Sequence, residues 1–219
     1  MAILITHQGT KTMRLHYHPR STSSRRVLLA AHHLEIKVDL VLVNLFKGEQ
    51  NSPGFLKLNP NHRVPVLEMD GFILWESYAI MQYLADMTSG QAIYPVEPRA
   101  RADVNRWLFW CGQDFTPGIS ILNWENSIKS MAGIGSPDPI EVARGERLLT
   151  EAAKVLDAHL GHREWICDTG LSLADFAIAA PLADQHRAKL PVTDLPNLQR
   201  WFMQVQALDS WEKTEADAL

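Results

Sequence analysis

The sequence predicts an α/β domain in the N-terminal part of the chain and an all-α helical domain in the rest. Residues 13–87 alternate short strand-like runs with amphipathic helical stretches, whereas beyond them apolar side chains recur only at helical spacing. Between the two parts, residues 88–98 interrupt both patterns with a glycine and two prolines, which is typical of a linker. We therefore expect one domain at residues 13–88 and a second at residues 99–219.

Local patterns predict each element of the first domain. Met13–Tyr17 alternates apolar and polar side chains, which indicates a strand. The valine-rich run over 38–43 indicates a second, well-buried strand, and Asp70-Gly71 between two apolar runs indicates a β-hairpin. The predicted elements in chain order are a strand at 13–17, a helix at 25–34, a strand at 38–43, at most a short helix at 54–58, strands at 66–69 and 72–75, and a helix at 77–87. This βαβ-ββα order is that of a thioredoxin-like domain.

The second domain is predicted to contain only helices, at 99–115, 140–160, 172–180 and 196–208. The helix at 172–180 is apolar on almost every side, so we expect it at the centre of the domain. Ser172 and Asp175 have the spacing of a capping box, in which each side chain accepts a hydrogen bond from the other residue's amide. We interpret this pair as structural, because amides left unpaired at a buried helix start have no water to bind.

Charge and composition exclude several function classes. The 219 residues carry a formal net charge of −4, whereas a nucleic-acid-binding protein needs a basic surface. No apolar run approaches the ~20 residues of a membrane span, and no basic stretch precedes the apolar start of residues 1–12, so we expect no membrane association and no signal peptide. We expect residues 1–12 to be a frayed extension. Cys111 and Cys167 are far apart in sequence, which favours a reducing cytoplasm.

A small-peptide binding site is indicated within residues 61–77. Val64-Pro65 precedes a strand, and X-Pro bonds are the peptide bonds that adopt the cis form at low cost. A cis bond here would turn the backbone of Val64 outward, where its N–H and C=O can pair with an extended peptide. Glu76-Ser77 stands at a helix start, where amides and a hydroxyl can bind a carboxylate. An ordinary hairpin that leads into a capped helix explains these residues equally well.

These residues resemble the cytosolic glutathione transferase family over nearly the whole chain, from Met13 to about Thr214. The order and spacing of several motifs carry the resemblance, since each motif alone is common. The motifs are 21–27 (STSSRRV), 59–67 (NPNHRVPVL), Glu76-Ser77 with Ala79-Ile80 and Tyr83-Leu84, Ser172–Asp175, and Pro196–Leu198 with Trp201-Phe202. The serine-rich loop is most similar to the theta, zeta and related bacterial classes, and its strand end is also similar to the beta class.

The resemblance implies which residues bind glutathione. Val64, held before Pro65, would pair with the cysteinyl backbone of glutathione. Glu76 and Ser77 would hold the γ-glutamyl end.

Three further positions follow from the same resemblance. Gln50 and Arg63 match positions that contact the glycine carboxylate, although theta-like members often carry a histidine at the Gln50 position. Asp103 matches a residue that can reach the partner subunit's site, so the resemblance also implies a homodimer.

A hydroxyl in the loop at 21–24 is expected to activate the thiol of glutathione. A free thiol titrates near ~8.5, and the thiolate is the nucleophile. The Ser-x-x-Ser-Arg pattern selects Ser21, alignment of the strand end with beta-class members selects Thr22, and Ser24 is either a third candidate or the N-cap of the helix. We expect Ser21, with Thr22 second. The loop has no cysteine, which argues against the members that form mixed disulfides with glutathione.

The leading interpretation is a transferase that conjugates the glutathione thiolate to small hydrophobic electrophiles, with glutathione as cosubstrate. The alternatives are a glutathione-dependent isomerase or dehalogenase, and a non-catalytic glutathione-fold binding or stress protein. Of the aromatic residues at 107–124, we expect one or two to line an apolar cosubstrate pocket and the others to be core. His16 and His18 would make only a weak metal site, and we expect no metal.

Overall fold

The computed structural model describes residues 13–216, and its N-terminal part is built on a four-stranded mixed sheet in the order β2-β1-β3-β4. Strand β1 pairs in parallel with β2 and antiparallel with β3, and β3 pairs antiparallel with β4. The elements are β1 (Met13–Tyr17), α1 (Thr22–His33), β2 (Asp39–Leu42), α2 (Pro53–Leu58), β3 (Val66–Met69), β4 (Phe72–Trp75) and α3 (Ser77–Met87). The predicted thioredoxin-like βαβ-ββα order is confirmed. The expectation for residues 1–12 lies outside the described residues.

The hairpin forms at the predicted residues. Asp70 and Gly71 both have positive φ, at 50° and 81°, which is the conformation of a type I′ turn. Glycine adopts it freely and aspartate tolerates it, so this dipeptide fixes the register of β3 against β4.

The prediction that the second strand is well buried was wrong. Leu40 and Leu42 of β2 are 36% and 54% exposed. The reason is that β2 is an edge strand with β1 as its one neighbour, and a run of apolar residues does not distinguish an edge strand from a central one.

Helix α1 begins at Thr22, three residues before the predicted start at Arg25. Ser21 is its N-cap, and the Ser21 Oγ accepts a hydrogen bond from the Ser24 amide at 3.1 Å. Ser24 is therefore not the N-cap but a fully buried residue of the first turn. The loop expected at these serines is instead the start of the helix, and Ser21 satisfies one of its free amides.

The C-terminal part is helical throughout, as predicted. Its first helix continues past the predicted end at 115, because α4 (Pro98–Trp110), α5 (Thr116–Asn123) and α6 (Lys129–Ala132) are joined by π-helical turns at Cys111–Phe115 and Trp124–Ile128. Such turns rotate the apolar face, so a single helical period does not follow it. The remaining helices are α7 (Pro139–His159), α8 (Leu173–Ala179), α9 (Pro196–Gln206) and α10 (Asp209–Ala216).

Helix α10 is not among the helices predicted from the sequence. Its buried positions include Ser210, Trp211 and Thr214, of which one is large and apolar. The helix therefore lacks the apolar periodicity that indicates a helix in a sequence.

Helix α8 is the buried centre of the C-terminal part, as predicted, and every residue from Leu173 to Ala179 is buried. The capping box of Ser172 and Asp175 is present. The Asp175 carboxyl group accepts hydrogen bonds from the Ile166 amide (3.0 Å), the Ser172 amide (2.8 Å), the Ser172 hydroxyl (3.0 Å) and the Trp201 indole (2.8 Å). Burial raises the pKa of Asp175, and these donors oppose that shift.

A buried arginine joins α1 to the helical part. The Arg26 guanidinium donates to the Ala177 carbonyl at 2.8 Å and to the Thr116 hydroxyl at 2.9 Å, and it lies over the Tyr78 ring at 5.0 Å from the centroid. No carboxylate contacts Arg26 within residues 13–216. Because these contacts connect α1, α3, α5 and α8, the arginine fixes the starts of α1 and α3 relative to the helical part.

Candidate active site

Four segments meet at one edge of the sheet. The register pairs Tyr17 at the end of β1 with Leu42 at the end of β2, and it pairs Val66 at the start of β3 with His16 and with Trp75 at the end of β4. Four segments therefore leave the sheet at the same end. Three of them follow β1, β2 and β4, and the fourth precedes β3. Ligands of open α/β sheets bind at such an edge.

Two candidate hydroxyls lie where the first of these segments enters α1. Ser21 and Thr22 are both half-buried and both line a small cavity between α1 and the segment that follows α8. As the N-cap, the Ser21 Oγ accepts the Ser24 amide through a lone pair, so its own O–H is left to donate. A hydrogen bond received at the oxygen strengthens the bond that the hydroxyl donates. The Ser21 hydroxyl is therefore a stronger hydrogen-bond donor than the Thr22 hydroxyl.

The third hydroxyl, that of Ser24, faces the interior. Ser24 has no exposed surface, and its Oγ lies 3.4 Å from the His18 amide, from which it accepts. His18 is also buried, and its Nδ1 accepts from the Arg20 amide at 3.1 Å. Burial, followed by the charge of Arg20, lowers the pKa of His18, so this imidazole is neutral beside the site.

The peptide bond before β3, between Val64 and Pro65, is cis, the form that the sequence allows at low cost. The preceding loop is held by Asn59, whose side-chain amide donates to the Arg63 carbonyl at 2.8 Å and whose oxygen accepts from the Asn61 amide at 3.0 Å. Within residues 13–216, no hydrogen bond engages the N–H or the C=O of Val64. The N–H and C=O of Val64 are therefore free to form the hydrogen bonds by which a strand pairs with an extended peptide.

Glu76 and Ser77 form the start of α3. Glu76 has a φ of 76°, which is uncommon for a residue with a side chain and costs strain that persists mainly at functional sites. It makes no side-chain cap bond, and no acidic residue occupies the first turn of α3. Ser77 is buried, and its hydroxyl has no hydrogen-bond partner among the described residues. The helix start thus presents free amides and a hydroxyl, which together suit a carboxylate.

Gln50 and Arg63 differ in what they offer to a ligand. The Gln50 Nε2 donates to the Leu45 carbonyl at 3.4 Å, while its Oε1 is buried without a partner in the described part of the chain. In this conformation, no group donates a hydrogen bond to the Gln50 Oε1, and the N–H of a bound peptide would supply one. Arg63 is exposed, and its guanidinium is the group of this pair that suits a carboxylate.

Asp103 does not join this group of residues within the chain. It lies on α4, forms an ion pair with Arg106, and is close to the buried thiol of Cys167. Burial is the main cause that raises the pKa of Cys167 to about 12, so this thiol is not ionised at neutral pH.

The aromatic residues at 107–124 divide into core and surface. Phe115 and Trp107 are buried, and Trp110 stacks on Phe115 at 5.5 Å between ring centroids. Trp124 and Phe109 are exposed. Trp124 belongs to the same turn-and-helix segment as Met131, whose sulfur lies 3.8 Å from the Arg20 Nη1.

Three arginines beside Ser21 were not among the site residues predicted from the sequence. Arg20, Arg25 and Arg187 line the same small cavity as Ser21 and Thr22. For Arg20 and Arg25, the absence of acidic residues in the first turn of α1 was an available signal. No local signal exists for Arg187, which belongs to a distant part of the chain.

Residues 13–216 offer neither a metal site nor a membrane-spanning helix. No cluster of three or more His, Cys, Asp or Glu side chains in residues 13–216 has the arrangement needed for a metal ion. Within the same range, none of the helices combines the length and the apolar character needed to cross a membrane.

Comparison with known proteins identifies the family. The model of the glutathione S-transferase N-terminal domain matches residues 11–86, and that of the C-terminal domain matches residues 114–209. The chain is 32% identical over 203 residues to glutathione S-transferase hmp2 of Hypomyces subiculosus, covering 90% of this chain and 95% of the relative.

Solved structures agree with this family. A delta-class glutathione transferase from Nilaparvata lugens has a TM-score of 0.81 at 30% identity, with 94% of each chain covered. Glutathione transferase F7 from Populus trichocarpa has a TM-score of 0.85 at 26% identity, covering 95% of this chain and 100% of that one. Because both family domains match in order along a thioredoxin-like and helical fold, the chain belongs to the glutathione S-transferase family and is a transferase that uses glutathione.

Proposed function

We propose that this protein conjugates glutathione to small electrophiles and that Ser21 is the hydroxyl that stabilises the thiolate. The observation that carries this proposal is the N-cap geometry of Ser21. Its oxygen accepts the Ser24 amide at 3.1 Å and its proton is left to donate, at the edge where the other three segments meet. The theta-, zeta- or beta-like type stays a prediction.

The chemistry needs a thiolate at neutral pH. Lowering the thiol pKa by ~2 units requires ~2.7 kcal/mol of differential stabilisation. One charge-assisted hydrogen bond supplies ~1.5–3 kcal/mol, and the positive end of α1 adds to it. The thiol proton passes to solvent, and the sulfur electron pair then forms a bond to the electrophilic carbon. In a substitution the leaving group departs with its bonding electrons, and in an addition the displaced pair takes up a proton from water.

We assign the peptide part of glutathione to the remaining segments. The cysteinyl backbone pairs with the unbonded N–H and C=O of Val64. The γ-glutamyl carboxylate binds the free amides at the start of α3 and the Ser77 hydroxyl, while Glu76 faces the ammonium group. The glycine carboxylate lies with Arg63, and the unpartnered oxygen of Gln50 accepts a peptide N–H.

Glu76→Ala and Ser77→Ala are each expected to raise the Kd for glutathione about tenfold or more, because each removes a partner of the γ-glutamyl end. Isothermal calorimetry measures this Kd, and retention on immobilised glutathione gives an independent check. Ser210→Ala is the control, since Ser210 is likewise a buried serine but lies on α10. Parental affinity in both site variants would remove this assignment.

A panel of electrophiles decides between conjugation and the alternatives. Conjugates formed with a broad set of electrophiles support the transferase proposal. Turnover restricted to haloalkanes or to an isomerisation supports the second interpretation, and glutathione binding without any turnover supports a non-catalytic role. The free cysteines, Cys111 and Cys167, fit our placement of the protein in a reducing cytoplasm.

We further propose a homodimer that uses the outer side of β4 and α3. Strand β4 is the other edge of the sheet, and Phe72, Trp75 and Met87 are 44%, 38% and 45% exposed. Exposed apolar side chains gathered on an edge strand and its neighbouring helix are typical of a protein interface. Asp103, which pairs with Arg106 on its own chain, then faces the partner subunit's site.

Asp103→Ala is expected to weaken glutathione binding several-fold although Asp103 lies in the helical part, because each site would lose a carboxylate supplied by the other subunit. Calorimetry measures the affinity and light scattering at micromolar concentration measures the mass. Glu141→Ala is the control, since Glu141 forms the equivalent i,i+3 pair with Arg144. A monomeric mass with full activity would rule out the shared site.

A further inference from the structure

The cavity beside Ser21 has one wall from each part of the chain. Pro19–Thr22 and Arg25 form the wall on the N-terminal side, and Ala180, Ala183, Asp184 and Arg187 form the wall on the helical side. Its volume is about 220 Å³, which is smaller than the ~300–1,000 Å³ of sites that enclose a whole drug-sized ligand. It therefore has room for one end of a small molecule whose reactive carbon lies at Ser21.

The charges on these walls are predominantly positive. Three arginines, Arg20, Arg25 and Arg187, line the cavity together with one acidic residue, Asp184. Asp184 is already in an ion pair with Arg187. The first turn of α1, whose amides carry partial positive charge, has no acidic residue to balance it. The cavity thus has an excess of two positive charges and a helix N-terminus that adds to them.

Arg25 is the least well satisfied of the three arginines. Its side chain is 17% exposed, and its Nε is buried without a hydrogen-bond partner in the described residues. The Arg25 Nη2 lies 3.5 Å from the Glu215 carboxylate, which is itself largely exposed, and the guanidinium lies over the Trp211 ring. Burial lowers the pKa of Arg25, since a desolvated cation is unfavourable, and the charges of Glu215 and Asp184 only partly oppose this shift. An anion in the cavity would remove this cost.

We propose that this cavity is a subsite for a carboxylate carried by the electrophile, so that the preferred substrates are amphipathic acids rather than neutral hydrophobic compounds. This inference rests on the proposed conjugation of glutathione at Ser21. The guanidinium fork matches the planar carboxylate and its two oxygens. The small side chains of Ala180 and Ala183 leave space for the carbon that carries the group.

A matched pair of electrophiles tests the subsite: 4-chloro-3-nitrobenzoate and its neutral carboxamide, 4-chloro-3-nitrobenzamide. In both, the glutathione thiolate forms a C–S bond at the carbon that bears chlorine, and chloride leaves with the bonding electrons. Each kcat/KM is divided by the uncatalysed rate constant with free thiolate, which removes the difference in intrinsic reactivity. We expect the corrected ratio of benzoate to benzamide to exceed one in the parent protein.

Arg187→Gln is expected to lower this ratio about tenfold, and Arg187→Lys to lower it less, because lysine keeps the charge without the fork. Arg144→Gln is the matched control, since Arg144 is similarly exposed and pairs with Glu141 at i,i+3 as Arg187 pairs with Asp184. The control should leave the ratio unchanged. A parent ratio at or below one, or the same ratio in Arg187→Gln as in the parent, would overturn the subsite and leave the proposed function standing.

The affinity for glutathione separates the remaining outcomes. If Arg187→Gln raises the Kd for glutathione in calorimetry and lowers both rates equally, the cavity binds a carboxylate of glutathione itself and the assignment to the electrophile is wrong. If the parent protein binds no glutathione, the proposed function fails and the subsite fails with it.

Discussion

Replacement of Ser21 by alanine is expected to raise the apparent pKa of bound glutathione by ~1–2 units and to lower kcat/KM roughly 10- to 100-fold, which corresponds to the ~1.5–3 kcal/mol of one charge-assisted hydrogen bond. The parent holds the thiol mostly ionised at neutral pH, whereas the variant leaves it mostly protonated. The ultraviolet absorbance of the bound thiolate, followed against pH, measures the shift. Affinity for glutathione should change little, because the peptide part binds elsewhere at the sheet edge.

Two companion variants separate this role from helix capping. Ser21→Gly also lacks the hydroxyl, but glycine at an N-cap costs only a few tenths of a kcal/mol, so it should show the same pKa shift with a smaller loss of stability. Asp138→Ala removes the cap of α7, where the Asp138 Oδ1 accepts from the Ile140 amide at 2.9 Å, and should lower stability without a pKa shift. A shift in Thr22→Ala that is absent in Ser21→Ala would assign the hydroxyl to Thr22.

Asp175→Ala is expected to lower the free energy of unfolding by ~4 kcal/mol or more. The substitution leaves four buried donor groups without an acceptor, on Ile166, Ser172 and Trp201, and each orphaned buried group costs ~1–3 kcal/mol. At ~2–4 °C per kcal/mol for a chain of this size, the Tm should fall by about 10 °C. Denaturant unfolding and calorimetry measure both quantities.

A second carboxylate at a helix start provides the comparison. Asp157 accepts from the amides of Asn197 and Leu198 at the start of α9, both at 2.9 Å, but in a partly exposed place. Asp157→Ala should cost only ~1 kcal/mol, because water can reach the freed amides. Ser172→Ala should also cost ~1 kcal/mol. If the Asp175→Ala variant binds glutathione normally and has the same Tm as the parent protein, the structural role of this residue is contradicted.

Elements with strong local signals were predicted at their observed bounds. The hairpin strands at 66–69 and 72–75 were predicted to the residue, since Asp70-Gly71 specifies its own turn conformation. The capping box at Ser172 was predicted for a similar reason, because both partners lie within one helical turn. Errors arose where neighbours distant in sequence decide the outcome. The exposure of β2 depends on its place in the sheet, and α10 is a helix with little apolar periodicity of its own.

The sequence by itself determined the elements of the thioredoxin-like part, their order and the paired residues within single turns, because those depend on backbone preferences and hydrogen bonds over a few positions. Only the tertiary structure decided that the segments after β1, β2 and β4 and the segment before β3 leave the sheet at the same end, through the register of four strands. It also decided that Ser21 caps α1 while Ser24 is buried, and that Arg187 comes beside Arg20 and Arg25. Contacts between such distant positions are set by packing and burial across the whole fold, and no local pattern in the chain encodes them.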